Sequence, residues 1–450
     1  SLFPGLSGLN AQSVQIQGKL KLDPNQIAEY NDASYALVLD TADAVAYKEL
    51  QLIGVPFTGI ILSEIENNAF LLNAGFAKVG RVVLPIEGDA STLGPGSFSD
   101  ITGSNAPMPM AGNNAVWTGT EMLIWDCDQN NGGRYDPTQD QWEAISSVSS
   151  PSQRSLSTAI WTGTEMIVWG GTDGSAVFNS GARYDPANDT WTPMSTVNAP
   201  PKYSHSAIWT GTEMIVWGGV ISLSPFTVSN TGAKYNPTTN TWTPISLTNA
   251  PNPTVYHSAI WTGSDMIIHG GPNNNTTKKY NPVSNSWTTL AHSGVVRFLH
   301  SAIWTGTKMI VWGGTNSLNS PIPGINTGGV YDVATNSWTT TTLTNAPSQR
   351  LAHSAVWTGQ EMIIWGGSHE DIVTNTGARY HPITNTWITT SLTNCPGPRA
   401  SHTGIWTGSE QIIWGGADIN TSFNDGKKYN PVSSGYLPAV NTSMYLYSKN

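Results

Sequence analysis

Five histidines stand four residues before a recurring tryptophan: His205, His257, His300, His353 and His402, with Asn113 and Ser157 at two further copies. Imidazole ligates transition metals and, when protonated, attracts anions. The competing reading is that one residue type fastens the same loop in every copy. Seven residues before the same tryptophan come Arg154, Lys202, Arg297, Arg350 and Arg399. These could clamp a carboxylate or hold neighbouring loops. Four residues after it come Glu121, Glu165, Glu213, Asp265, Glu361 and Glu410, with Lys308 the exception. Their oxygens could take a hard cation or be solvated. A transition metal needs ligands converging on one point, and a circle spread over many copies is too wide, so neither a metal nor another cofactor is expected. The sequence shows no Ser/His/Asp order, phosphate loop or HExxH motif.

The elements that position these side chains are repeats. A Trp-Thr-Gly anchor falls at Trp117, Trp161, Trp209, Trp261, Trp304, Trp357 and Trp406. The third copy shows the unit. Residues 205–209 are apolar and β-prone, and Thr210-Gly211-Thr212 reads as a tight hairpin turn. Residues 214–217 form a second apolar run closed by Gly218-Gly219. After a variable loop come residues 232–235, a turn rich in Asn and Pro, and residues 241–245. Nothing of helical length and period intervenes, so each unit is a four-stranded antiparallel meander. One such sheet cannot bury both faces alone. Units of this length solve the problem by stacking radially. All nineteen tryptophans fall at three repeat positions: seven in the first strand, six in the second and six in the fourth. They read as a layer of indoles between blades.

A double glycine after an apolar run, followed by Tyr and Trp seven positions apart, resembles the kelch repeat. The pairs are Tyr135/Trp142, Tyr184/Trp191, Tyr235/Trp242, Tyr280/Trp287, Tyr331/Trp338 and Tyr380/Trp387. The resemblance covers residues 106–437 and implies a seven-bladed kelch-type β-propeller. Two departures stand out. Asp126-Cys127 replaces Gly-Gly in the first repeat, and Tyr436 stands where the last repeat should carry its fourth-strand Trp.

The expected fold class is all-β, the propeller being preceded by a small β-sandwich domain. Residues 1–10 read as an extended arm, 11–90 as a sandwich of Ig-like size, and 91–107, rich in Ser, Gly and Pro, as a linker. Residues 108–440 are the propeller. Residues 441–450 are a strand-like tail that supplies the outer strand of the last blade or pairs with the N-terminal domain. Cys127 ends a second strand in the first repeat and Cys395 enters the first strand of the seventh. In a closed ring those repeats are neighbours, so a ring-closing Cys127–Cys395 disulfide is expected, with two unrelated thiols as the alternative.

Twenty basic against thirty acidic residues give a net charge of −10, which disfavours nucleic acid and anionic membranes as partners. No apolar run reaches the length of a transmembrane helix. Charged residues are only 11 %, below the usual quarter. Asn, Thr, Ser and Gly supply the polarity, a mix that points to an extracellular or cell-surface protein. The second-to-third-strand loops vary most in length, and variable loops on a rigid scaffold are where binding resides. The leading expectation is a non-catalytic module that binds a protein or glycan on that loop face. A structural subunit of a surface filament or assembly, self-associating through the N-terminal arm and domain, is the second. The kelch resemblance also admits a carbohydrate-active enzyme, similar to galactose oxidase or to sialic-acid mutarotase.

Overall fold

A computed structural model describes residues 94–431, except 110, 113, 127, 128, 273–275 and 320, together with the backbone of six further strands. Its contacts divide the chain into two units, Gly94–Ser433 and Ser1–Leu93 with Ser434–Asn450. Among the described residues every regular element is a strand.

The third blade shows how the repeat folds. Its strands are Ser206–Trp209, Met214–Trp217, Gly232–Asn236 and Thr241–Pro244. They pair antiparallel in sequence order, with Trp209 opposite Met214, Met214 opposite Tyr235 and Tyr235 opposite Trp242. Pro244 is tolerated because the fourth strand is the sheet's outer edge, where no ladder N–H is required. The second strand is buried at every residue, since a neighbouring blade covers each face of the sheet. Six consecutive stretches of chain repeat this meander. First strands of successive blades pack on one another, and Thr403–Trp406 of the seventh packs on Asn114–Trp117 of the first. The circle therefore closes at seven.

The seventh blade takes its fourth strand from the other end of the chain. Ser97–Asp100 pairs antiparallel with Gly426–Asn430, and Phe98 lies opposite Tyr429. Part of the stretch expected to be a linker is thus the strand that seals the ring. Phe98 fills the fourth-strand aromatic position expected of Tyr436, which lies outside the described residues. The signal was present in the sequence: Ser104-Asn105-Ala106-Pro107 matches Thr248-Asn249-Ala250-Pro251, the stretch that follows a fourth strand in the third repeat.

Aromatic rings hold the blades together in a complete circuit. A second-strand ring of each blade meets a fourth-strand ring of the next. The centroid distances are 4.8 Å for Trp125–Trp191, 4.7 Å for Trp169–Trp242 and 4.5 Å for Trp217–Trp287. The circuit continues through His269–Trp338 at 4.8 Å and Trp312–Trp387 at 5.5 Å. Trp365–Phe98 at 6.4 Å and Trp414–Trp142 at 4.5 Å complete it. The six second-strand tryptophans are fully buried. Burying an indole of about 200 Å² contributes roughly 5 kcal/mol of transfer free energy. The first-strand tryptophans are only half-buried at the inner edge of each boundary.

In the second unit, Ile16–Lys21 pairs with Lys48–Leu52. A separate sheet has the order Ile61–Ser63, Tyr35–Asp40, Ser443–Lys449, Phe76–Val83. The C-terminal strand thus joins the N-terminal unit rather than the last blade. Residues 1–10 lie outside the described residues.

Candidate functional site

The histidine circle is a set of blade-to-blade fasteners. The Nε2 of His205 lies 2.9 Å from Thr158 Oγ1 on the first strand of the preceding blade. The same bond joins His257 to Ser206, His300 to Ser258, His353 to Ser301 and His402 to Ser354 at 2.8–2.9 Å. At the boundary of the first and second blades, where Ser157 replaces the histidine, Asn114 donates to Ser157. The Nδ1 atoms of all five histidines are buried without a partner. The proton is therefore assigned to Nε2, which donates to the hydroxyl. Burial holds four of the five, His205, His257, His353 and His402, down at about 3, and His300 well below its ordinary value. These are neutral imidazoles between sheets, each donating along one fixed direction.

The basic row is buried as well. Arg350 donates through Nη1 to the Gly366 and Thr376 carbonyls and through Nη2 to Thr376 Oγ1. Arg154, Arg297 and Arg399 each bridge the corresponding carbonyl pair: Gly170 and Ser180, Gly313 and Thr327, Gly415 and Asp425. Lys202 reaches Gly218 O, Ser229 and Thr231, and burial lowers its pKa to about 7. In the fourth blade Thr254 reaches Gly270 O. Each cation ties the end of the second strand to the start of the third within its own blade. None of the five presents an open guanidinium or ammonium to a ligand.

The acidic row pairs with a cation on the third strand. Glu121–Arg134, Glu165–Arg183, Glu213–Lys234 and Asp265–Lys279 lie at 2.9–3.5 Å. In the fifth blade the signs are exchanged, with Lys308 on Asp332 at 3.1 Å. Third-strand cations also reach a turn carbonyl of the next blade: Arg134 on Pro186, Arg183 on Pro237, Arg379 on Pro431 and, across the closure, Lys428 on Pro137. Glu361–Arg379 is the buried member, and Arg379 also donates to Gly94 O just ahead of the sealing strand. Among the described residues no three His, Cys, Asp or Glu side chains are grouped to hold a metal ion.

Cys395 is a free thiol. It packs with Trp365 and Trp406 at the boundary of the sixth and seventh blades and accepts from Asn375. The expected bridge placed it beside the first blade, whereas it lies at the boundary of the sixth and seventh. Cys127 lies outside the described residues.

The surface that remains is the loop end. In a four-stranded meander the second-to-third and fourth-to-first connections leave the same end of the sheet. Fourteen large hydrophobic side chains are exposed among the described residues. All but Val283 and Ile383 belong to those connections. The loops are built, not loose. In the third blade Val220–Leu223 pairs with Phe226–Val228 and packs on Tyr203 and Val255. In the sixth, Ser368–His369 pairs with Ile372–Val373. That hairpin is bolted to the long loop of the fifth blade by Gly324 N–H to His369 Nδ1 and by Glu370 N–H to Ile322 O. Sequence reasoning located this face through loop length but missed its side chains, because single exposed Ile or Phe residues in loops carry no periodic signal.

No curated protein matches the chain. A family model described as the Attractin/LZTR1 beta-propeller matches residues 126–373, from the end of the first blade's second strand to the sixth blade's hairpin. That is more than half of the 450 residues. With seven four-stranded blades closed in a ring and Tyr–Trp pairs in register, the chain belongs to this family of kelch-type propellers.

Proposed function

We propose that the chain is a non-catalytic binding module whose loop end engages a protein partner. The observation that carries this is the segregation of surface types. The recurring His, Arg and Lys side chains are consumed by internal bonds, and the recurring carboxylates are mostly paired with third-strand cations. Twelve of the fourteen exposed large hydrophobics crowd one end. Exposed apolar side chains concentrated on one surface are a mark of interaction sites. Only Phe226 among them is aromatic, which suits a protein more than a stacked sugar ring. An extracellular or cell-surface location is part of the proposal. It is supported by polarity carried on Asn, Thr and Ser with only 11 % charged residues.

The test is a hydrogen-exchange footprint of the full chain with and without a detergent extract of its native source. Slowed exchange in residues 220–231, 315–327 and 368–376 supports the proposal. Protection confined to the first-to-second and third-to-fourth turns contradicts it. Protease shaving of intact cells tests the location, since loss of the chain from intact cells is expected and full survival would refute it.

A further inference from the structure

On the loop end, an open cleft of about 380 Å³ runs between the sixth and seventh blades. Val373, Pro398 and Phe423 give it apolar walls, and Asp371 and Asp418 line it as well. Two isoleucines belong to the lining while being largely solvated, Ile372 at 72 % and Ile419 at 74 % exposure. The sixth-blade side is rigid. Glu370 and Asp371 turn the hairpin with φ of 48° and 64°, the left-handed pair that a two-residue hairpin requires. The seventh-blade side is fixed by Asp418, whose carboxylate accepts from the Asn420 and Thr421 N–H groups at 2.7 Å. Those donors keep its carboxyl below the ordinary range. The nearest buried cation adds no free charge. Arg399 lies 4.5 Å from the Phe423 ring centroid and pairs with Asp425 at 2.8 Å.

Resting on the loop-end reading above, we infer that this cleft takes an extended peptide segment of the partner in which a lysine or arginine is flanked by aliphatic residues. The aliphatic side chains cover Ile372, Ile419 and the apolar walls. The cation completes Asp371 and Asp418, in a chain whose net charge is −10. An acidic segment would be repelled by both carboxylates.

The probes are two peptides, acetyl-Leu-Lys-Ile-Arg-Leu-amide and its counterpart with glutamate at both basic positions, titrated into the full chain by isothermal titration calorimetry. The basic peptide is expected to bind at least about tenfold more tightly. Asp371→Asn with Asp418→Asn should erase that preference, and Asn keeps the turn at 418. Ile372→Ser with Ile419→Ser should weaken the basic peptide about tenfold. Phe226→Ser, on the distant third-blade hairpin, should leave it unchanged. Equal affinity for the two peptides, or a preference that survives the double Asn variant, overturns the inference. Loss of the basic peptide with Phe226→Ser but not with the cleft variants would also overturn it, while leaving the loop-end reading in place.

Discussion

The Tyr429 hydroxyl donates to the Pro95 carbonyl at 2.8 Å, across 334 residues of chain. In the other six blades the same tyrosine donates to a turn carboxylate or amide: Asp140, Asp189, Asn240, Asn285, Asn336 or Asn385. Those residues hold φ between 49° and 53°, a region that Asn and Asp tolerate better than other side chains. Their Oδ1 also accepts an N–H from the preceding blade, as Asn240 does from Ser195 and Asn385 from Thr342. At the closure Gly96 replaces this residue and has no side-chain oxygen. Pro95 O takes over both bonds, accepting from Tyr429 and from Ser391 N–H at 2.8 Å. The ring is sealed with the repeat's own hydrogen-bond pattern, rebuilt from different atoms.

Gly96→Ala should therefore destabilise the propeller by about 2–4 kcal/mol. Its Cβ would meet Tyr429 Oη at 2.5 Å and Asn430 O at 2.6 Å, at a φ of 72°. Tyr429→Phe leaves Pro95 O with its Ser391 bond and should lose only about 1 kcal/mol. Urea midpoints of the two variants check the order, and a harmless Gly96→Ala would remove the argument for a packed closure.

Acid should unfold the protein through its buried imidazoles. The folded His257 pKa, about 3, lies below its ordinary 6.5. Between those values the unfolded chain binds the proton and the folded one does not. Stability is complete above about pH 6.5 and falls as pH drops towards 3, by up to about 1.4 kcal/mol per pH unit for each such histidine. His257→Gln should flatten the slope of unfolding free energy between pH 5.5 and 4 by about that amount, read from urea titrations. An unchanged slope would mean that His257 is solvated.

Glycine and histidine face each other across blade boundaries. A Cβ on Gly218, at φ 66°, would lie 2.7 Å from the His257 ring and 2.7 Å from Thr254 O. At the first boundary Asp126 replaces that glycine, and Ser157 replaces the facing histidine. Gly218→Ala should lose roughly 2–4 kcal/mol, and adding His257→Ser should return part of it, with a coupling of about 1 kcal/mol. Strict additivity in the double-mutant cycle would contradict the steric account.

Arg350 separates scaffold from ligand clamp. Arg350→Met strands the Gly366 carbonyl in a buried site, while the Thr376 carbonyl keeps the Gly366 N–H, and should lower stability by about 2–3 kcal/mol. A protein of unchanged melting temperature that failed only to bind its partner would restore the carboxylate-clamp reading.

Much of this molecule is legible in the chain because its core is local. Strand pairs such as Trp209–Met214 and Tyr235–Trp242 lie within a few residues of each other, and the indole positions recur in register. The polar rows were visible but ambiguous. A side chain repeated in most blades is spent on a bond that the copies share, and His205–Thr158 or Arg350–Gly366 shows which one. The sealing strand was the least legible element. Its pairing spans more than three hundred residues, Phe98 replaces Trp, and Gly96 replaces the turn Asn, so only the Ser-Asn-Ala-Pro stretch after it carried the signature. The exposed Ile372 and Ile419 belong to one cleft only because the ring brings the sixth and seventh blades together.

The most direct measurement is amide hydrogen exchange across residues 97–101 of the full chain. If Ser97–Asp100 is the seventh blade's outer strand, its ladder amides exchange as slowly as those of Thr241–Pro244 in the third blade. Exchange of 97–101 at the rate of free chain, beside a protected 241–244, would show that this segment does not close the propeller.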